Sequence, residues 1–214
     1  MIRTGRRIFV VAGLCALVAL LSGALPAFAA DGPAIGKVTR LKDSATAMQN
    51  AVARPLKEGS DILVGDVIST GKGARLEFSL NDGSSVTLGG QTIFEVSEFT
   101  QTPAQESILM RMLTGAFKAT SGEIAKVNPD AMTVATEVAT IGIRGTTVWG
   151  GKLANDFEVA LLSGTAVRVT TRAGSVDLTT VGQGTTIPSQ DTAPTAPVTW
   201  AAAKVARARA TVEF

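Results

Sequence analysis

Ser69-Thr70-Gly71-Lys72 has the Ser-x-x-Lys spacing that lets a lysine one helical turn beyond a serine take its proton. That chemistry needs the serine at the start of a helix. Here the four residues lie between two strand-like segments, Gly71 and Gly73 mark a turn, and the companion motifs S-D-N and K-T-G are absent. Carboxylates are the other chemical resource. A glycoside hydrolase sets two of them about 5 to 10 Å apart across a cleft. Eighteen acidic residues always allow some pair, so their number specifies nothing. Asp61, Asp66 and Asp82 sit at the edges of strands and in turns, and read as turn and cap groups rather than calcium ligands. The chain has no histidine, and its one cysteine, Cys15, lies in the N-terminal apolar run. A Ser-His-Asp triad, a cysteine nucleophile and a zinc site of the usual ligands are therefore excluded from the body of the chain. No catalytic, cofactor-binding or metal-ligating residue is assigned, and the chain reads as a non-enzyme.

Two side chains are candidates for binding. Arg144 stands between Gly142 and Gly145 in an otherwise apolar, β-branched stretch. A charge placed there needs a partner if buried. It is either an anion or partner contact, or half of a structural salt bridge to Asp66 or Glu137. Trp149, beside Gly150-Gly151, is either a surface for stacking on a sugar or peptide, or a cap on the core.

The elements that position these residues begin after an expected leader. Arg3, Arg6 and Arg7 precede an almost wholly apolar run from Ile8 to Leu25, and Ala27-Phe28-Ala29 supplies the small residues a signal peptidase reads. Residues 1–29 are expected to be a signal peptide, by the general or the twin-arginine route, leaving no stable membrane span. The exported body, periplasmic or secreted, would then lack cysteine and disulfides. Removing the three leader arginines from 20 basic residues leaves 17 against 18 acidic ones, a net charge of −1. That balance argues against nucleic acid as a partner.

The body alternates with period two. Ala74, Leu76, Phe78 and Leu80 face one way and Arg75, Glu77 and Ser79 the other. Asn81-Asp82-Gly83 supplies the tight turn, and Val86 and Leu88 return. Further short strands are expected near 35–41, 94–99, 108–113, 115–119, 132–134, 141–149 and 157–162, then at 164–169, 174–178 and 184–187, each of the last three introduced by glycine. Residues 42–60 read as a polar, broken stretch and 120–130 as a loop. The class is all-β. The even spacing suits a β-helix-like solenoid stack of short strands, with a β-sandwich as the alternative. Pro188, Pro194 and Pro197 mark a linker over 188–198. TWAAAKVARAR, within a tail spanning 199–214, has high helix propensity and a thin apolar side.

Gly65-Asp66-Val67-Ile68, Thr70, Ala74, Leu76, Phe78, Asp82-Gly83-Ser84, Val86 and Leu88 resemble the FecR domain. So does Val138-Ala-Thr-Ile-Gly-Ile-Arg144-Gly145-Thr146. The resemblance covers about residues 35–187, within a single domain drawn at 30–187. It implies a periplasmic all-β module in which Gly65, Asp66, Asp82, Gly83, Gly145 and Thr146 are structural motif positions. It favours the structural role for Arg144. In the family's namesake, this region relays a signal from an outer-membrane siderophore receptor to a cytoplasmic sigma factor. Here only seven residues precede the apolar run, so no cytoplasmic anti-sigma domain is expected and the iron-signalling role does not carry over. What carries over is binding. The expected partner is another envelope protein, or a cell-wall glycan, met through exposed strand edges in signalling or scaffolding. The alternative is a carboxylate-dependent envelope hydrolase.

Overall fold

The computed structural model describes residues 32–102, 105–128 and 131–214. The expected leader, residues 1–29, lies outside the described residues. The strands are β1 (Ala34–Lys42), β2 (Ala45–Gln49), β3 (Val52–Pro55), β4 (Asp61–Leu63), β5 (Val67–Thr70), β6 (Arg75–Leu80), β7 (Ser85–Leu88) and β8 (Ile93–Thr102). There follow β9 (Gln105–Thr114), β10 (Ala116–Thr120), the single-turn helix α1 (Ile124–Val127), β11 (Met132–Thr136), β12 (Thr140–Lys152) and β13 (Phe157–Thr171). β14 (Gly174–Leu178), β15 (Gln183–Ile187), β16 (Val198–Thr199) and the helix α2 (Ala202–Ala210) complete the described chain. Among the described residues, no helix is long and apolar enough to cross a membrane.

All sixteen strands join one sheet. Its main path runs β3-β2-β5-β8-β9-β11-β12-β10-β7-β6-β1-β4, and β13 extends it from β12 to β14 and β15. The local rule is visible in β6, where Leu76, Phe78 and Leu80 are buried and Arg75, Glu77 and Ser79 are not. Tight hairpins pair β2 with β3, β6 with β7, β8 with β9, β11 with β12 and β13 with β14, and the crossovers between non-consecutive strands are antiparallel as well, with one exception. β9 with β11 is the parallel pair. The all-β class and the stack of short strands about one core therefore stand, but antiparallel neighbours build the stack rather than parallel rungs. The sheet curls until its two ends meet: Arg54 on β3 donates from Nη1 to the Asp61 carbonyl on β4 at 2.9 Å.

The curl encloses the main core. Phe94 packs at its centre between Phe78 and Phe117, with ring centroids 6.5 and 6.0 Å apart. A second, smaller cluster lies on the opposite face of β12 and β13, where Trp149, Ala160 and Leu162 meet Trp200, Ala208 and Val212 of the tail. This explains the unbroken apolar run Val159–Leu162, since Val159 and Leu161 face the main core while Ala160 and Leu162 face the tail.

Several elements differ from the sequence reading. Residues 42–60 contain β2 and β3, joined at Asn50-Ala51, both with positive φ. Their inward positions are the small Ala45 and Ala47, which leave little alternation to read. Residues 164–169 continue β13 instead of starting a new strand. Gly164, at φ +95°, makes a corner opposite Gly145, at φ +58°. The 188–198 segment is pinned to β15, with the Thr195 N–H on the Thr186 carbonyl at 3.0 Å and the Thr185 hydroxyl on the Thr195 carbonyl at 2.7 Å.

Candidate functional site

The glycine- and acid-bearing motifs of the sequence build joints. Asp66 is fully buried in the turn that follows β4. Its Oδ2 accepts the Leu63 N–H at 2.9 Å, and its two oxygens accept Arg54 Nη2 at 2.9 and 2.7 Å. The Gly65 N–H and the Asp66 carbonyl then bond Val96, docking the turn on β8. The salt bridge considered between Asp66 and Arg144 is thus replaced by Arg54, which reaches Asp66 from the adjoining end of the sheet.

Asp82 is equally enclosed. Its Oδ1 accepts the Ser84 N–H at 3.0 Å and its Oδ2 accepts the Ser84 hydroxyl at 2.7 Å, a side-chain cap on the β6–β7 turn at Gly83. The loop before α1 closes onto this turn. The Gly122 N–H donates to Ser84 Oγ at 2.8 Å and the Glu123 N–H to the Asp82 carbonyl at 2.8 Å. The same loop holds the second motif, since Ser121 N–H bonds the Thr146 carbonyl and Ser121 Oγ accepts the Thr146 N–H, each at 3.1 Å. Asp82-Gly83-Ser84 and Gly145-Thr146, sixty residues apart, thus meet on one loop. Arg54 and Ser121 belong to none of the motifs visible in the sequence. A buried carboxylate demanded a cation, but no spacing singled out Arg54.

Arg144 is half-buried on β12, in register with Ala166 of β13. It adds to the field on Asp177, whose carboxyl is held below the ordinary 3.8 first by its hydrogen bond from Arg168 and more weakly by Arg144. Trp149 is fully buried. Its ring meets Trp200 edge-on at 5.9 Å between centroids, and its indole N–H donates to Thr211 Oγ1 at 2.9 Å. A ring without exposed surface offers no stacking face, so Trp149 caps a core. Gly184 makes room for the tail, since a Cβ there would collide with the Trp200 indole. The tail is clamped by polar contacts too. Arg75 donates to the Ala210 and Glu213 carbonyls at 2.8 and 3.0 Å, meeting the negative end of α2, and Lys204 Nζ lies 2.5 Å from Glu158 Oε1.

A concavity of about 470 Å³ opens where the ends of β9, β11 and β12 converge. Leu113, Glu137, Lys152 and Phe157 line it, with Gln91 and Thr211. Leu113 is 59% exposed. Among its described lining residues Glu137 is the one carboxylate, so the cleft lacks the pair a glycosidase needs. Elsewhere, Lys37 holds the Asp61 carboxyl below 3.8, first by a hydrogen bond and then by its charge. Carboxyls lowered in this way stay ionised and do not serve as general acids near neutral pH. Ser69 lies in β5, a strand, and Lys72 in the turn beyond it, so the Ser-x-x-Lys spacing is not presented on a helix. Among the described residues, no three His, Cys, Asp or Glu side chains gather as a metal site.

The model of the family described as FecR protein matches residues 66–179, more than half of this chain. The protein belongs to that family, and its fold is the all-β fold of FecR type. Two crystal structures of a protein described as an anti-sigma factor from Parabacteroides distasonis ATCC 8503 are similar, with TM-scores of 0.51 and 0.50 at 18% and 16% identity. Each match covers 64% of this chain and 61% of that one, so this chain spans about three fifths of its length. At such identity the likeness is one of fold. No curated protein matches.

Proposed function

We propose that this protein is an exported, periplasmic FecR-type module that binds another cell-envelope protein without catalysis, in envelope signalling or scaffolding. One observation carries the reading: the motif carboxylates Asp66 and Asp82 are buried and engaged by Arg54, Leu63 and Ser84 inside the fold. The charged residues that mark the family are therefore joints, and recognition is left to the exposed surface. The cleft rim at Leu113, Glu137 and Lys152 is a concave part of it. Family membership and the signalling description of the structural neighbours support a protein partner. The arginine-led apolar N-terminus ending in Ala27-Phe28-Ala29 supports export.

The test is crosslinking in intact host cells, with a photoreactive side chain at Leu113 or at Glu137 of the full chain. The expected product is one dominant envelope protein, lost when Lys152 is replaced by Glu. Recovery of peptidoglycan fragments instead would shift the reading to a wall glycan. Release of soluble fragments from purified sacculi, abolished by a single carboxylate replacement, would overturn it in favour of a hydrolase.

A further inference from the structure

β14 has one paired edge. Residues 174–178 pair with 171–167 of β13, and among the described residues no strand covers the other side. The two-residue turn Arg172-Ala173 closes on Thr171 and Gly174, which makes that a hydrogen-bonded pair. Alternation along the ladder then turns the N–H and C=O groups of Gly174, Val176 and Leu178 toward β13 and those of Ser175 and Asp177 outward. The side chains of Ser175 and Asp177 share the solvent face, while Val176 packs half-buried against the main core.

The other three end strands, β3, β4 and β16, are blunted. β3 ends in Pro55, which has no N–H to offer. β4 is three residues long, with its Asp61 carbonyl taken by Arg54 and its Leu63 N–H by Asp66. β16 has two residues.

We propose that β14 pairs antiparallel with β14 of a second copy of this chain, about a twofold axis through Val176. In this register Ser175 stands opposite Asp177 of the second copy, and Asp177 opposite its Ser175. Both residues present their backbone groups outward, so the parity is correct and four ladder hydrogen bonds form. The side chains also match. The Ser175 hydroxyl donates to the carboxylate opposite it, which Arg168 of the same chain already orients through Nε and Nη2, each at 2.8 Å. On the inner face the two Val176 side chains meet as a non-hydrogen-bonded pair, the closer kind. Centring the axis on Asp177 would set two carboxylates opposite one another, and centring it on Ser175 would run the ladder into the turn. The sequence Ser-Val-Asp thus complements itself in one register. A five-residue ladder makes a weak association at the low end of interface size. It is independent of the envelope partner and of the cleft.

Sedimentation and light scattering of the full chain from about 10 μM to about 1 mM test this. The expected result is a monomer that becomes a dimer across that range, with the Ser175 and Asp177 amides gaining exchange protection as it does. Ser175→Pro removes an outward donor at an edge position where proline is tolerated, and should abolish the dimer with the tryptophan emission unchanged. Ser175→Lys, placing a cation opposite each carboxylate, should tighten association roughly fivefold, and Ser175→Asp should weaken it by a similar factor. If Ser175→Pro does not fold, the Lys and Asp variants decide. A monomer at every concentration, or a dimer indifferent to these substitutions, overturns the proposal.

Discussion

Arg54 Nη2 stands 2.7 Å from Asp66 Oδ2, and with this contact one side chain fastens the two ends of the sheet's main path. β3 and β4 lie at opposite ends of that path, yet the guanidinium touches the Asp61 carbonyl beside one and the carboxylate in the turn after it. Asp66 has no exposed surface, whereas Arg54 is 30% exposed. The carboxylate therefore depends on this cation far more than the cation depends on it.

Arg54→Ala should accordingly destabilise the protein by about 3 kcal/mol, because it strands a buried charge. Asp66→Asn should cost less, since an amide oxygen still accepts the Leu63 N–H. Urea unfolding followed by tryptophan emission measures both.

Gly164→Ala should cost more than about 2 kcal/mol. A Cβ there would collide with the Gly145 carbonyl and with Thr146, and φ is +95°. Gly59→Ala is the control, with a similar φ of +81° and nothing within 4 Å of the new Cβ. Its cost should be only the backbone term, about 1 kcal/mol. Equal shifts in the urea midpoint would show that the close approach at the corner contributes nothing.

Lys204→Met keeps an apolar stem near Trp200 and leaves Glu158, which is 8% exposed, without its cation. The expected loss is about 1–3 kcal/mol. Adding Glu158→Gln should recover part of it, a coupling that a double-mutant cycle reads directly.

Asp61 and Asp177 both have folded-state pKa values below 3.8. A depressed folded value means that the stabilisation is in place above the unfolded value and is lost as pH falls through the folded one. Both side chains are about half exposed, so the effect on stability is small, and the titration itself is the readout. NMR should place both carboxyl midpoints below 3.8. Lys37→Ala should return Asp61 toward 3.8 and leave Asp177 where it is.

The parts legible in the sequence were those where a local rule also decides the tertiary outcome. β6, its Asn-Asp-Gly turn and β7 follow from period two and from residues that tolerate positive φ. Asp66 and Asp82 read as caps, and they are caps. β2 escaped because its inward side chains are alanines, too small to raise the alternation above the surrounding polar residues, and β3 because it buries no side chain at all. Gly164 read as the start of a strand because a glycine at a turn and one at a strand corner look alike without the opposing Gly145. The thin apolar stripe of the tail did not decide whether its helix lies on the body. Its hold comes from Trp200, Ala208 and Val212 in the second cluster together with contacts from Arg75, Lys204 and the Trp149 indole that leave no periodic trace. Trp149 itself had a signal, in the two-sided burial of Phe157–Leu162, which implied a second covered face.

That second face has a consequence for how the molecule melts. Ile141, Ile143 and Val148 of β12, with Val159 and Leu161 of β13, pack into the main core, while Trp149, Ala160 and Leu162 of the same two strands pack beneath the tail. The two clusters are back to back on one ribbon, so loss of register between β12 and β13 dissolves both at once. The dependence runs one way: Trp200, Ala208 and Val212 cover the hairpin from outside, and the tail can lift off while the strands beneath it stay paired.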